Sequence, residues 1–317
     1  MKEVVLGIDL GGTNTKFGLV DREGNIIIES SMPTDVHETI GTFQEALYKR
    51  SSVLIERANT QLVGVGIGAP NANYYKGTIE YPPNLKWKGI TPFVDLFTKY
   101  YNVPMVLTND ANAAAIGEMM YGGAKGMRDF IVITLGTGLG SGIVCNGQLL
   151  YGHDGFAGEL GHSLVNVFGR TCGCGRRGCL ETYVSATGIK RTVYKLLADY
   201  NGESELVDTS FENLTADQIT EAAKRGDKVA IAAFEYTGRI LGMKLADAVV
   251  HSSPEAIFLF GGLTKADEHI FEPTKRYMEE HMLGIFKGKV KLLVSELNDR
   301  NAAVLGAAAL VWKEKIH

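Results

Sequence analysis

At 317 residues, with 45% hydrophobic and 21% charged side chains and 38 glycines, the chain has the composition of a globular protein of about two domains, rich in tight turns. Its formal net charge of −4 offers no electrostatic footprint for nucleic acid or an anionic membrane surface, and no run approaches the roughly 18 apolar residues of a membrane span. Met1 leads at once into an apolar strand, without the charged and apolar regions of a signal peptide, so the expected compartment is the cytoplasm, where four cysteines do not imply disulfides.

Residues 4–8 read as a buried strand that runs into Asp9-Leu10-Gly11-Gly12-Thr13-Asn14-Thr15-Lys16, and 17–20 and 26–28 as two further strands. Gly11 and Gly12 let backbone N–H groups approach an anion, Thr13 and Thr15 add hydroxyls, and Lys16 adds a positive charge. Asp9, at a strand end beside this turn, is placed to hold Mg2+ through water. Taken alone, the same stretch is equally a plain hairpin with a glycine turn.

A helix is expected over 36–58 and a strand over 62–67, followed by a loop containing Asn71 and a proline-stiffened loop, 81–87, containing Asn84. Residues 91–101 read as helix and 103–107 as a strand that runs into Asn109-Asp110, the start of a helix to Tyr121. The domain boundary is expected near 121–123, giving one domain of 1–121 completed by a closing helix in 301–317, and a second of 122–300. Alternating strands and helices indicate mainly parallel α/β sheets with ligands at strand C-terminal ends.

The first pattern then returns. An apolar strand, 130–135, meets Gly136-Thr137-Gly138-Leu139-Gly140-Ser141-Gly142, then a strand at 143–145 and the hairpin signal Asn146-Gly147. Residues 8–26 laid against 133–149 superimpose strand, glycine turn, strand and tight turn. Two such copies suit two related domains, each offering a phosphate-binding turn to one nucleotide.

Three cysteines, Cys172, Cys174 and Cys179, lie within eight residues, and His162 completes the ligand list of a closed structural Zn2+ site. A disulfide pair or a chance cluster of thiols is the alternative, though three is an odd number to pair. Glu159 and Glu181 flank the set and are not needed as ligands. Helices are expected over 181–200, 215–225, 228–251 and 301–312, with strands at 256–260 and 290–294. Gly261 and Gly262 would let a flat nucleotide base lie against the backbone.

Three features together resemble one family: Asp9-Leu10-Gly11-Gly12-Thr13 with Lys16, Leu135-Gly136-Thr137-Gly138, and Gly161-His162 with the Cys-x-Cys-Gly-x-x-Gly-Cys-x-Glu run ending at Glu181. They resemble the ROK family of bacterial sugar kinases and sugar-responsive repressors, from residue 4 to about residue 310. The resemblance implies two RNase-H-like, actin-like ATPase domains flanking a cleft for ATP and a small-molecule sugar, and a homodimer or higher homo-oligomer. It implies Asp110 as catalytic base, Asn109, Glu159, His162 and Glu181 as ligands of sugar hydroxyls, and His162, Cys172, Cys174 and Cys179 as Zn2+ ligands. One departure stands at Asn71, where the family usually places Gly; Asn71 and Asn84 are assigned to the sugar as well.

The chemistry agrees with those positions. Phosphoryl transfer to a hydroxyl needs positioning, magnesium and a carboxylate to take the proton. Asp110 supplies the carboxylate, or else merely caps its helix. The leading expectation is ATP-dependent phosphorylation of a hexose 6-hydroxyl, glucose first, with N-acetylmannosamine, N-acetylglucosamine, allose and fructose as alternatives. The rival class is a sugar-responsive repressor, whose N-terminal helix-turn-helix would find only eight residues ahead of Asp9.

Overall fold

The computed structural model describes residues 1–199, 202–297 and 301–314. Strands β1 (Glu3–Leu10), β2 (Asn14–Val20) and β3 (Ile26–Pro33) open the chain, and α1 (Ile40–Ala58) leads to β4 (Gln61–Gly68). Three short strands follow, β5 (Ala72–Asn73), β6 (Thr78–Glu80) and β7 (Ile90–Thr91), then α2 (Phe93–Phe97), β8 (Met105–Thr108) and α3 (Asp110–Tyr121). Strands β9 (Phe130–Leu135), β10 (Leu139–Cys145) and β11 (Gln148–Leu149) precede the irregular stretch that carries the cysteines. After it come α4 (Ala186–Asp199), α5 (Ala216–Lys224), α6 (Lys228–Ser252), β12 (Ala256–Phe260), α7 (Glu268–His281), β13 (Lys291–Val294) and α8 (Ala302–Glu314).

Two five-stranded sheets have the orders β3-β2-β1-β4-β8 and β11-β10-β9-β12-β13. In the first, β1 runs antiparallel to β2 and parallel to β4, which runs parallel to β8. In the second, β12 runs parallel to both β9 and β13, and β10 antiparallel to β11. Within each sheet the order is third, second, first, then two later strands. The duplicated stretch 8–26 and 133–149 is the same half of each sheet.

The chain divides into two compact units, Met1–Met127 with Gly142–Gly158 and Ser295–His317, and Arg128–Ser141 with Glu159–Val294. In the first, Phe17, Phe43, Phe93 and Phe97 are fully buried against the apolar faces of β1 and β4. Helix α8 lies directly on the sheet backbone: a Cβ at Gly7 would overlap the Val304 carbonyl, and one at Gly66 the Ala307 carbonyl. That is why α8 is rich in alanine, since larger side chains would hold it off. Helices α3 and α8 cross closely too, a Cβ at Gly117 falling 2.9 Å from Gly306 Cα. The start of α3 is thereby fixed relative to β1 and β4. In the second unit, Gly238 and Gly242 of α6 admit Pro273, Thr274 and Met278 of α7.

Several elements differ from their expected form. Helix α1 begins at Ile40, because Thr39 caps it by accepting from Thr42 N–H at 3.3 Å. The expected helix over 91–101 shrinks to α2, since Thr91 is spent in β7 and Pro92 is the cap position. The loops around Asn71 and Asn84 carry a three-stranded sheet, β5-β6-β7. The helix expected from 181 begins at Ala186, after a separate single turn, Leu180–Thr182. Helix α7 is unannounced in sequence because Pro273 stands inside it. Tyr200, Asn201 and residues 315–317, which fall in expected elements, lie outside the described residues.

Candidate active site and metal centre

The first glycine turn joins β1 to β2, and its closing bond runs from Gly11 N–H to Asn14 O, 3.2 Å. Asp9 stands opposite Lys16 across this ladder. A Cβ at Gly12 would overlap the backbone oxygen of Asn84, so the proline-stiffened loop lies against the turn and needs glycine there. Thr13 is exposed, whereas Thr15 is fully buried and its hydroxyl pairs with Thr34 Oγ1 at 2.7 Å. Only Thr13 therefore keeps the hydroxyl role that the sequence offered to both.

Asp110 is the first residue of α3, and the cap is its neighbour: Asn109 Oδ1 accepts from Asn112 N–H at 2.7 Å. The capping alternative for Asp110 thus falls to Asn109. Asp110 Oδ1 accepts from Ala111 N–H at 2.8 Å, a bond that fixes its rotamer and leaves lone pairs over. Asp110 is exposed to solvent, yet the protein around it disfavours the charged form enough to push its carboxyl above the usual range, against the pull of backbone N–H groups. Asp9 is pushed to about 6, first by burial and then by the negative charge of Asp110, with Lys16 opposing. Two neighbouring carboxylates whose acidity is weakened at the end of a parallel sheet are a functional-site signature.

Asn71 adopts a left-handed backbone, φ 51°, which explains how it replaces a glycine: asparagine tolerates that region better than other side chains. Its Nδ2 donates to Tyr81 O at 3.2 Å, tying the two loops together. Below them, Asn73 is fully buried; its Nδ2 donates to Asp154 O at 2.8 Å, and its Oδ1 accepts from Tyr75 and Lys76 N–H groups. Sequence reasoning passed over Asn73, whose only signal was an asparagine next to two tyrosines.

The second glycine turn closes with Gly136 N–H donating to Gly138 O at 3.0 Å. Gly261, at φ 109°, packs against Leu135, where a Cβ would fall 2.7 Å from its oxygen, while Gly262 opens to free space. Gly136, Thr137, Gly138, Gly261 and Gly262 are thus brought together, because β12 pairs with β9 up to Phe260 and Thr134. Helix α4 starts beside them: Ala186 N–H donates to Gly136 O at 2.9 Å and Thr187 Oγ1 to Thr137 O at 3.3 Å. Glu181 also reaches the turn, its Oε2 accepting from Leu139 N–H at 3.2 Å.

One ligand atom from each of His162, Cys172, Cys174 and Cys179 lies within 4.8 Å of all the others, and the three thiols are free. Cys172 Sγ is 3.7 Å from His162 Nδ1, and Cys174 Sγ is 3.7 Å from Cys179 Sγ. A tetrahedron with metal–sulfur bonds of about 2.3 Å has sulfur–sulfur edges of about 3.8 Å, so the donor set fits one tetrahedral ion. Protein contacts also shape the loop. Gly178, at φ 78°, would drive a Cβ into the Asn166 carbonyl, so glycine is obligatory there. Arg170 lies beneath, stacked 4.6 Å over the Tyr183 ring and donating to Thr182 O, Gly188 O and Thr192 Oγ1. That strut was not recognised from sequence, where it reads as a surface arginine. Glu159 is the residue before the single turn Leu160–His162, whose last residue is the histidine ligand.

The comparisons agree with this architecture. The ROK family profile matches residues 5–314. A glucokinase of Halalkalibacterium halodurans is 32% identical over 98% of this chain and 95% of its own length. A xylose repressor of Caldicellulosiruptor bescii is 30% identical over 98% of this chain, which spans 79% of the repressor. Among solved structures, a ROK family glucokinase from Streptomyces griseus, in complex with glucose and AMPPNP, superposes with a TM-score of 0.82 at 33% identity, over 97% of this chain and 98% of that one. With its two glycine turns, its Cys3His loop and a match over nearly its full length, this chain belongs to the ROK family.

Proposed function

We propose that the protein transfers the terminal phosphoryl group of ATP to the 6-hydroxyl of a hexose, glucose foremost, with Asp110 accepting the hydroxyl proton. The observation that carries the reading is Asp110 itself. It is relieved of capping by Asn109, fixed by Ala111 N–H, and desolvated so that its basicity exceeds that of an ordinary aspartate. The similarity to glucokinases, one of them solved with glucose and an ATP analogue, supports the choice of both substrates.

Asn109 retains its Nδ2 for a hydroxyl oxygen, and Glu159 and Glu181 offer carboxylates, which bind vicinal hydroxyls more strongly than neutral acceptors. His162 meets Cys172 through Nδ1, leaving Nε2 to donate to the sugar. Asn71 and Asn84 are assigned to the sugar side, and Asp9, Gly11, Gly12, Thr13, Lys16, Gly136, Thr137, Gly138, Gly261 and Gly262 to the nucleotide. Magnesium bound near Asp9 would neutralise phosphate charge. The Cys3His set holds zinc as a structural ion, four protein ligands leaving no open position.

We place the reaction in the cytoplasm, where ATP is available, and take a homodimer as the working assembly; among the described residues no helix is long and apolar enough to cross a membrane. A regulator that only senses sugar would need neither a base nor two phosphate turns. A coupled ADP-release assay over glucose, mannose, fructose, allose and their N-acetylated amino counterparts tests the reading. Glucose-dependent ADP release with glucose 6-phosphate as product is expected. Sugar binding without turnover on any of them would contradict it.

A further inference from the structure

The two glycines of the second turn do different things. A Cβ at Gly136 would meet nothing within 4 Å, so that side is open to an incoming group. A Cβ at Gly138 would overlap Glu181 Oε2, so that side is already filled by a carboxylate of the same unit. Glu181 Oε2 accepts from Leu139 N–H at 3.2 Å, while its Oε1 faces Cys172 Sγ at 3.6 Å. The backbone behind it is fixed as well: Ser185 Oγ donates to Glu181 O at 2.7 Å and accepts from Gly188 N–H at 3.0 Å. Five and six residues after Glu181, Ala186 N–H and Thr187 Oγ1 bind the carbonyls of Gly136 and Thr137.

One short segment, 181–188, therefore touches the glycine turn at three of its residues and the metal cluster at one. We infer that Glu181 couples the sugar to the nucleotide turn: a sugar that immobilises this carboxylate also fixes residues 136–139 in the form that receives phosphate. The ordering cost of the turn is met by whichever substrate arrives first, and the second binds more tightly. Gly138 lacks a side chain because the carboxylate fills that side, while its backbone stays part of the nucleotide turn. The inference rests on the kinase reading above, in which Glu181 binds sugar hydroxyls.

Reciprocal calorimetry on the intact, metal-bearing protein tests it. Glucose affinity is measured with and without a non-hydrolysable ATP analogue, and analogue affinity with and without glucose. The wild type should show the same enhancement in both directions, on the order of 5- to 50-fold, because coupling is reciprocal. Gly138→Ala should bring that factor close to one, since its methyl group displaces the carboxylate from Leu139 N–H. Glu181→Gln keeps the size and a weaker neutral acceptor, so it should reduce the factor while leaving the melting temperature near wild type. A merely structural role would move stability and both affinities together and leave the ratio intact. Independent binding of the two ligands to the wild type would overturn the coupling alone. Nucleotide binding with no affinity for any hexose would overturn the coupling and the kinase reading together.

Discussion

Asp9→Asn separates what a site costs the fold from what it gives the reaction. Asp9 titrates at about 6 because it is buried and faces the charge of Asp110, with Lys16 offsetting only part of this. In the unfolded chain its carboxyl returns to about 4. Between those values the folded protein keeps a proton that the unfolded chain releases. Stability therefore falls as pH rises through the window, and the full cost is present above about pH 6. The displacement corresponds to at most about 3 kcal/mol, an upper bound because Asp9 keeps some contact with water. Asparagine carries no charge to bury. At pH 7.5 the variant should be more stable than wild type by up to that amount, or roughly 4 °C for cooperative unfolding of a chain this long. The gain should shrink as pH falls and approach zero below about pH 4. Thermal melts in magnesium-free buffer report it, read as the difference between the two proteins because the metal ligands also protonate in acid. Turnover should fall at least about 100-fold in the same variant. Equal or lower stability at pH 7.5, or a gain that does not vary with pH, would refute the electrostatic reasoning.

Gly178→Ala should abolish metal binding without touching a ligand, since its methyl group would collide with the Asn166 carbonyl; stoichiometric zinc in that variant would contradict the loop geometry. Cys174→Ala should lose the ion and activity together, with elemental analysis reporting the first. Gly136→Val should fold normally, because its Cβ position is open, yet weaken nucleotide binding at least about tenfold with little change for sugar; unchanged ATP affinity would remove Gly136 from the nucleotide site. Asn109→Ala should cost about 1 kcal/mol of stability as the cap of α3 is lost, whereas Asn109→Asp should restore that stability without restoring sugar affinity.

Much of this site is visible in the sequence because local chemistry demands it. Tight turns at strand ends draw on residues such as Gly11-Gly12 and Gly136-Thr137-Gly138, and the two matching sheet orders repeat what those turns announce. The metal set is equally local, as Cys172, Cys174 and Cys179 can converge only on one another and on a nearby partner such as His162. What sequence leaves hidden depends on distant neighbours. Asn71 reads as a departure until its left-handed backbone shows that it does a glycine's conformational work. Asn73 and Arg170 read as ordinary polar residues until their partners at Asp154 and Thr192 are known. Glu118 is buried and binds the Gly123 N–H and Ser295 Oγ, a contact spanning most of the chain length that no local pattern encodes. Helix α7 escapes because Pro273 argues against it locally, while Gly238 and Gly242, which accommodate it, lie on another helix.

The most direct test of the account is Asp110→Asn, with kcat and glucose affinity measured separately. The cap of α3 belongs to Asn109 and the substitution preserves size while removing a charge that raises Asp9, so the fold should hold, with a melting temperature at or above that of the wild type. Only the basic site is lost. Turnover at saturating glucose and ATP should fall roughly 10²- to 10⁴-fold, with the glucose dissociation constant changed much less. Wild-type turnover at saturation would contradict the assignment of Asp110 as the base, and a raised dissociation constant with turnover recovered at high sugar would make it a ligand instead.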